Sequence, residues 1–591
     1  MVQMRPGGTA QAGPTDKEAR SAMFRILEEI FDVPAVLRRR KPISELAGLL
    51  PVCGVVGIQF LNMAITALRQ NTSRRLVGTM YLRDTATFLI NIGQQAALSV
   101  LYQAVNTSGW WMRTRVSIAW RRKLTERLHA TYFGDEVYYR QTTCANAIAD
   151  PPQRIVSDVS MLLSGHHGAL TSTVQSYITT TLGASHAMWR LWFNLPAQRW
   201  VVPFIIVWSY STMAFRNYFA PAMRNATIMA KSSRISGAYR DSHSRLSRYA
   251  ESIISFGGVA AEKSRITARL QETLNNAWEN AANMVREDLA MGLVGESFLG
   301  TMVEYALVHI PMISAFHPLK VSSSASEERR MQANADVLAE MSFNAELIRQ
   351  AQWQIIALFR LNRSIVRSSG SAIRVAEVLD LQKRVAATLP QKSKTTHSDG
   401  IPAIELRNVD LVTPTGVKLV DELSVTVTKG QGVQLYGASG VGKTTLCRAL
   451  KGLWPTAAGD ISCPTDTMFL PQTPYCPPGS LQDQLAYPEQ LTTSMNDAEL
   501  RELLHQVKLD HLLGADDAAE TFPVLSLGEK QQLAIARVLR KKPNFVVIDE
   551  ATSSLDHDLE LELFQKICAL GITLITVSNN AALLRFHQVS C

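Results

Sequence analysis

The sequence predicts two folds in series: an α-helical membrane domain of six spanning helices, followed by an α/β domain built around a phosphate-binding loop. Three observations predict this. Long uncharged runs crowd the chain before about residue 360 and then give way to ordinary soluble composition. A glycine-rich turn separates a strand from a helix in "GVQLYGASGVGKTTLCRALKGLWP", and a second apolar strand ends in paired carboxylates in "NFVVIDEATSSLD". At 591 residues the chain is also too long for one core.

The apolar half comes first. Leu46 to Leu68 holds 23 residues without a charge, enough at about 1.5 Å each to cross roughly 30 Å of hydrocarbon. Uncharged windows recur at 85–112, 159–189 and 200–215, and 289–316 is apolar except for Glu296 and Glu304. A sixth, 337–359, is interrupted by Glu340, Glu346 and Arg349. Four or five such runs in series point to lipid rather than to a soluble core. Glu296 and Glu304 lie two turns apart on one helical face, which suits either a cavity lining or an interhelical hydrogen bond. The polar connectors 113–158 and 217–287 are rich in helix formers and are expected to carry the membrane helices into the cytosol.

Boundaries follow from these shifts. Residues 1–41 read as an N-terminal targeting and cytosolic segment, 42–380 as the transmembrane domain, 381–402 as a linker around "QKSKTTHSDG", and 403–591 as the nucleotide domain. The net charge of +9 is not gathered into blocks of the size nucleic acid requires. Basic clusters such as "RRRK" at 38–41 instead flank apolar runs, as at a cytosolic membrane edge. Seven cysteines without CxxC spacing exclude a disulfide framework or a thiolate metal site and fit a reducing compartment. No signal-peptide core opens the chain, so internal segments must direct insertion.

The soluble half carries the chemistry. Gly437, Ala438, Ser439, Gly440, Val441, Gly442, Lys443, Thr444 and Thr445 fill the GxxxxGK(S/T) pattern and its helix start. Glycines let backbone N–H groups close around phosphate oxygens, Lys443 supplies charge to the β and γ phosphates, and Thr444 is placed to ligate Mg²⁺. Asp549 is expected on the metal and Glu550 on the attacking water, the division that phosphoryl transfer needs. Between the two motifs, "LSLGEKQQLAIARVL" opens a helix at Ser526, Gly528 and Glu529 whose amides and dipole suit a phosphate.

In that order, the phosphate loop, the LSxGE helix start, the DE pair and "SSLD" resemble the ATP-binding cassette (ABC) signature set. The resemblance implies an ABC type-1 exporter-like fold, with Gln472 of "FLPQTPY" as a further metal and nucleotide ligand and Asp556 as the D-loop aspartate. Several stretches resemble subfamily D, the peroxisomal fatty-acyl half-transporters. They are "GLWP", "PQTPYCPPGSLQDQLAYP", "VTPTG" in place of an aromatic adenine-stacking loop, "YYR" with "NAIADPPQRIVSDV", "AESIISFGG", and the N-terminal "MFRILEEIFDVPAVLRRRKP". That likeness implies ATP with Mg²⁺, and a homodimer or a heterodimer with another half-transporter, embedded in membrane lipid. It further implies a fatty acid or fatty acyl-CoA substrate, no nucleic acid, and a peroxisomal or peroxisome-like membrane with the nucleotide domain in the cytosol.

The sequence departs from the family at three points. "TVSNN" places Asn579 where the switch histidine is expected, Leu527 replaces the first signature glycine, and the chain runs only to "FHQVSC" after the last strand. Losing a preorganised donor costs about 3 kcal/mol, roughly 100- to 1,000-fold in rate. ATP binding is expected to survive and turnover to be weak or dependent on a partner. The alternatives are a regulatory subunit without transport of its own and a soluble ABC ATPase.

Overall fold

The computed structural model describes residues 21–22, 25–26, 50–143, 148, 150–163, 169–194, 199–219, 222–292, 301–303, 305–307, 326–388, 395–398, 400–413, 416–438, 440–489, 495–513 and 525–590. Glu296, Glu304 and Ser439 lie outside them. Contacts divide the chain into two units, one of residues 1–137 and 148–382, the other of residues 138–147 and 383–591.

The first unit is a set of long helices: α1 (Leu50–Tyr81), α2 (Thr85–Phe133), α3 (Ala169–Asn194), α4 (Val201–Phe219), α5 (Ala222–Arg248), α6 (Val259–Met291) and α7 (Glu327–Leu379). Helix α2 starts because Asp84 caps it, its carboxylate accepting from the Thr87 N–H at 3.1 Å and the Thr87 hydroxyl at 2.6 Å. Its 49 residues extend about 74 Å, far beyond a bilayer core, so the 113–158 connector begins as a helical extension. The 217–287 connector is likewise helical, turning between α5 and α6 at residues 249–258.

Val116, Trp120, Leu124 and Leu128 recur every four residues along α2 and pack with Val159, Leu162, Leu163, Val375 and Val378. Beside this core, buried Asp158 accepts two hydrogen bonds from Arg374, at 2.6 and 2.7 Å, and Arg154 pairs with Glu377. The "PPQRIVSDV" stretch is therefore a structural clasp onto α7. Among the described residues no helix is long and apolar enough to cross a membrane. Length is present and apolarity is diluted, because residues such as Gln59, Asn62 and Thr66 on α1 line a polar cavity.

In the second unit, one sheet runs in the order β1 (Thr395–Ser398), β5 (Ala458–Pro464), β2 (Ala403–Val412), β3 (Lys418–Thr428). The stretch expected as a linker, 381–402, thus carries helix α8 (Leu381–Thr388) and strand β1. Strand β1 pairs with β5, about sixty residues on, a partner that local composition could not reveal. The other sheet is parallel throughout, in the order β6 (Thr467–Leu470), β7 (Phe545–Asp549), β8 (Thr573–Val577), β4 (Val433–Leu435), β9 (Val589–Ser590). Strands β7 and β8 are buried at every residue, as parallel strands covered on both faces must be.

Candidate functional site

The site forms where three neighbouring parallel strands end. Leu435 of β4 and Asp549 of β7 both pair with Val577 of β8, so the loops that follow emerge level with one another. Ligands of open α/β sheets bind at this carboxyl edge. The first loop climbs through Gly440 at φ +90° and Gly442 at φ +109°, a conformation that side chains resist, before α9 (Lys443–Leu450) begins. The amides at its N-terminus are left to face an anion.

Lys443 Nζ donates to the carbonyls of Gly437 and Ala438 and, at 3.4 Å, to Asn579 Oδ1. All three partners are neutral oxygens. A cation so held has room for phosphate charge. Thr444 Oγ1 donates to Asp549 Oδ1 at 3.0 Å, and Asp549 is buried with no ion-pair partner among the described residues. Burial pushes its carboxyl above the ordinary range, Glu550 next door adds to this, and the Thr444 hydrogen bond opposes it. Two adjoining oxygens, one anionic and unneutralised, fit a hard divalent cation. Gln472 Nε2 donates to Glu550 Oε2 at 3.3 Å, and among the described residues its side-chain oxygen accepts no hydrogen bond. Glu550 itself sits at φ +50°, the strained left-handed region that functional residues often occupy. Its N–H is fixed to Val577 O at 3.1 Å.

The signature helix α10 (Leu527–Lys541) starts with a reciprocal cap: the Ser526 hydroxyl accepts from the Glu529 N–H, and the Glu529 carboxylate accepts from the Ser526 N–H. Hydrogen bonds from Ser526, side chain first and then backbone, with help from His511 at 2.8 Å, hold the Glu529 carboxyl below its usual range. Leu527 is 42% exposed, so it replaces glycine without a buried clash. A Cβ on Gly528 would come within 3.3 Å of Ser554 O. Among the described residues no hydrogen bond joins Ser526, Gly528, Glu529 or Asp556 to Gly437–Thr445. Asp556 begins α11 (His557–Ala569) from an exposed position.

Sequence reasoning missed the residues that hold these loops together. Gln531 on α10 donates to Gln472 O at 3.3 Å and accepts from the Ser554 N–H at 3.0 Å, tying the loops that follow β6 and β7 to one helix. Buried Gln434 on β4 donates to the carbonyls of Ser578 and Asn580, at 3.0 and 3.1 Å, and so grips both neighbours of Asn579. Asn580 is itself structural. It caps the turn at Ala581–Phe586 and donates to Glu560 at 2.8 Å, which Thr552 also meets at 2.6 Å. This separates the two asparagines: Asn579 faces the phosphate-loop lysine and Asn580 faces the protein.

Comparison with known proteins agrees with the order of parts. Residues 45–313 match the family model described as ABC transporter transmembrane region 2, and residues 420–553 match the one described as ABC transporter. A bacterial Atm1-family ABC exporter with ATP bound shares the fold, with TM-score 0.66 and 17% identity over 90% of this chain and 91% of that one. Helical membrane region and cassette together define an ABC transporter chain, and this chain belongs to that family.

Within it, the similarity is to subfamily D. ABC transporter D family member 1 of Arabidopsis thaliana is 28% identical over 86% of this chain, and the chain spans 38% of that protein's length. ATP-binding cassette sub-family D member 3 of Mus musculus is 26% identical over 86% of this chain and 78% of its own. A lysosomal cobalamin transporter of the same animal is 26% identical, covering 80% and 79%.

Proposed function

We propose that the chain is a half-transporter that uses ATP to move fatty acids or fatty acyl-CoA across the membrane of a peroxisome-like organelle, working as a homodimer or with another half-transporter. The observation that carries the ATP-driven reading is the convergence of Lys443, Thr444, Gln472, Asp549, Glu550 and Asn579 at the ends of β4, β6, β7 and β8. The acyl cargo rests on the likeness to subfamily D.

In this reading the loop amides and Lys443 grip the triphosphate. Thr444, Asp549 and the Gln472 carbonyl would hold Mg²⁺, which supplies charge neutralisation to the phosphates. Glu550 orients and deprotonates the attacking water. Lys443 must leave Asn579 to reach phosphate, which frees the Asn579 amide to turn and donate. That donor is neutral, so turnover is slow. The Ser526–Gly528 helix start, which makes no hydrogen bond to this loop among the described residues, serves the nucleotide of a second cassette, with Ser554 of the segment leading to Asp556 packed against Gly528. A soluble ATPase has no counterpart to the match at residues 45–313. The second reading, a subunit that senses ATP for a more active mate, is favoured by Asn579 alone.

The test is ATP-driven uptake into proteoliposomes holding the chain alone or with a co-purified mate, offered palmitate, palmitoyl-CoA or cobalamin. Uptake of either acyl compound that stops in Glu550→Gln supports the proposal. Uptake of cobalamin alone would overturn the cargo, and no uptake of any of the three in either combination would overturn transport.

A further inference from the structure

The first unit holds a half-open cavity of about 340 Å³ between α1, α2, α3 and α7. Its polar lining includes Gln59, Asn62, Tyr102, Asn106, Arg113 and Gln354, with Met63 and Trp353 among the apolar walls. Among the described residues no carboxylate lines it. Arg113 uses Nε on Gly109 O at 3.1 Å, and among the described residues its terminal nitrogens have no protein partner. Gly109 and Gly183 keep the space open: a Cβ on Gly183 would sit 2.9 Å from the Gln354 amide, and one on Gly109 would sit 3.0 Å from Ile58.

Two further cations stand behind the walls. Arg69 lies over the Tyr102 ring at 5.1 Å, and its Nε is buried without a hydrogen-bond partner. Buried Arg190 donates to Gln70, which donates to the lining residue Gln350 at 2.8 Å. None of the three arginines makes an ion pair among the described residues. Withdrawing one cation from water is costly unless an opposite charge meets it, and three without a counter-charge around one space leave a strong positive potential. The amide side chains add donors without adding negative charge.

We propose that this cavity is an anion site, in which Arg113 and the amides of Asn62, Asn106 and Gln354 receive the carboxylate or phosphate-ester head of an amphipathic molecule whose tail lies along Met63 and Trp353. This deepens the transporter reading, because it gives the chemical class of the cargo end that the membrane unit recognises. It rests on that reading for its role and not for its existence, since a resident lipid headgroup offers the same chemistry.

The experiment is nucleotide-free binding of radiolabelled octanoate, octyl phosphate and neutral octanol to the full chain in phosphatidylcholine nanodiscs. Octanoate and octyl phosphate should bind at least tenfold more tightly than octanol. Arg113→Gln should remove that preference, Arg113→Lys should restore part of it, and Arg115→Gln, an exposed neighbour, should leave it intact. Asn106→Leu fills the space without altering charge and should weaken both anions. Azido-ATP labelling of each variant confirms that its cassette is folded. Adding phosphatidylglycerol to the discs separates the sources: competition marks a lipid headgroup and its absence marks cargo, and either outcome keeps the anion site. Equal binding of octanol and octanoate, or an Arg113→Gln variant indistinguishable from wild type, overturns it. Failure of ATP-driven uptake with anion binding intact overturns transport instead.

Discussion

Replacing Asn579 by histidine should accelerate ATP hydrolysis about tenfold. In the structure the Asn579 amide faces Lys443 at 3.4 Å, and Gln434 fixes the backbone on both sides, so the position is built and only its donor is weak. A neutral hydrogen bond is worth about 1 kcal/mol and one from a charged group about 2.4 kcal/mol, inside its range of about 1.5 to 3 kcal/mol. The difference, about 1.4 kcal/mol, corresponds to a factor of ten. Asn579→Ala removes the neutral donor and should slow the reaction about fivefold, the equivalent of about 1 kcal/mol. The assay is phosphate release by the full chain in nanodiscs at saturating Mg-ATP, with Glu550→Gln as the zero. Equal rates for wild type, Asn579→His and Asn579→Ala would refute the reasoning, because the position would then contribute nothing to the transition state.

Three other outcomes follow from the geometry. Asp549 has a folded-state carboxyl raised by burial, so its charge costs the nucleotide-free fold at neutral pH and the cost is relieved as pH falls through that raised value. Asp549→Asn should therefore leave the nucleotide-free melting temperature unchanged or higher while abolishing Mg²⁺-dependent nucleotide binding, read by calorimetry and by titration. Because protons compete with the metal, Mg-ATP affinity in the wild type should begin to fall at a higher pH than an ordinary carboxylate allows, and Glu550→Gln should move that fall downward. Asp158→Asn strips the charge that Arg374 grips and should destabilise the helical unit by about 3 kcal/mol, with part recovered when Arg374→Met is added, as measured by a double-mutant cycle in denaturant.

What the sequence made legible was local chemistry. The run Gly437–Thr445 declares itself because strand, glycine turn and helix are consecutive, and Asp549–Glu550 because an apolar strand stops at two carboxylates. Asn579 was picked out over Asn580 because it directly follows Ser578 at the end of the strand, where the family pattern places the histidine, and the structure turns Asn579 to Lys443 and Asn580 to Glu560. The scaffold was not legible. Gln531, Gln434 and the Asp158–Arg374 pair act between residues 23 to 216 positions apart, and nothing local marks a glutamine as a clasp. The membrane half was read by apolar runs, which hid the polar residues at 59, 62, 106 and 113 that share one cavity. Strand β1 was hidden in a stretch of linker-like composition because its partner is remote.

The most direct test is Mg-ATP trapping by the Glu550→Gln chain in nanodiscs sorted by copy number. Discs holding two cassettes, whether two copies of this chain or one copy with a mate, should retain nucleotide through a desalting column, and discs with a single copy should lose it. Equal retention by single-copy discs would contradict the account, because one cassette would then suffice to close the site.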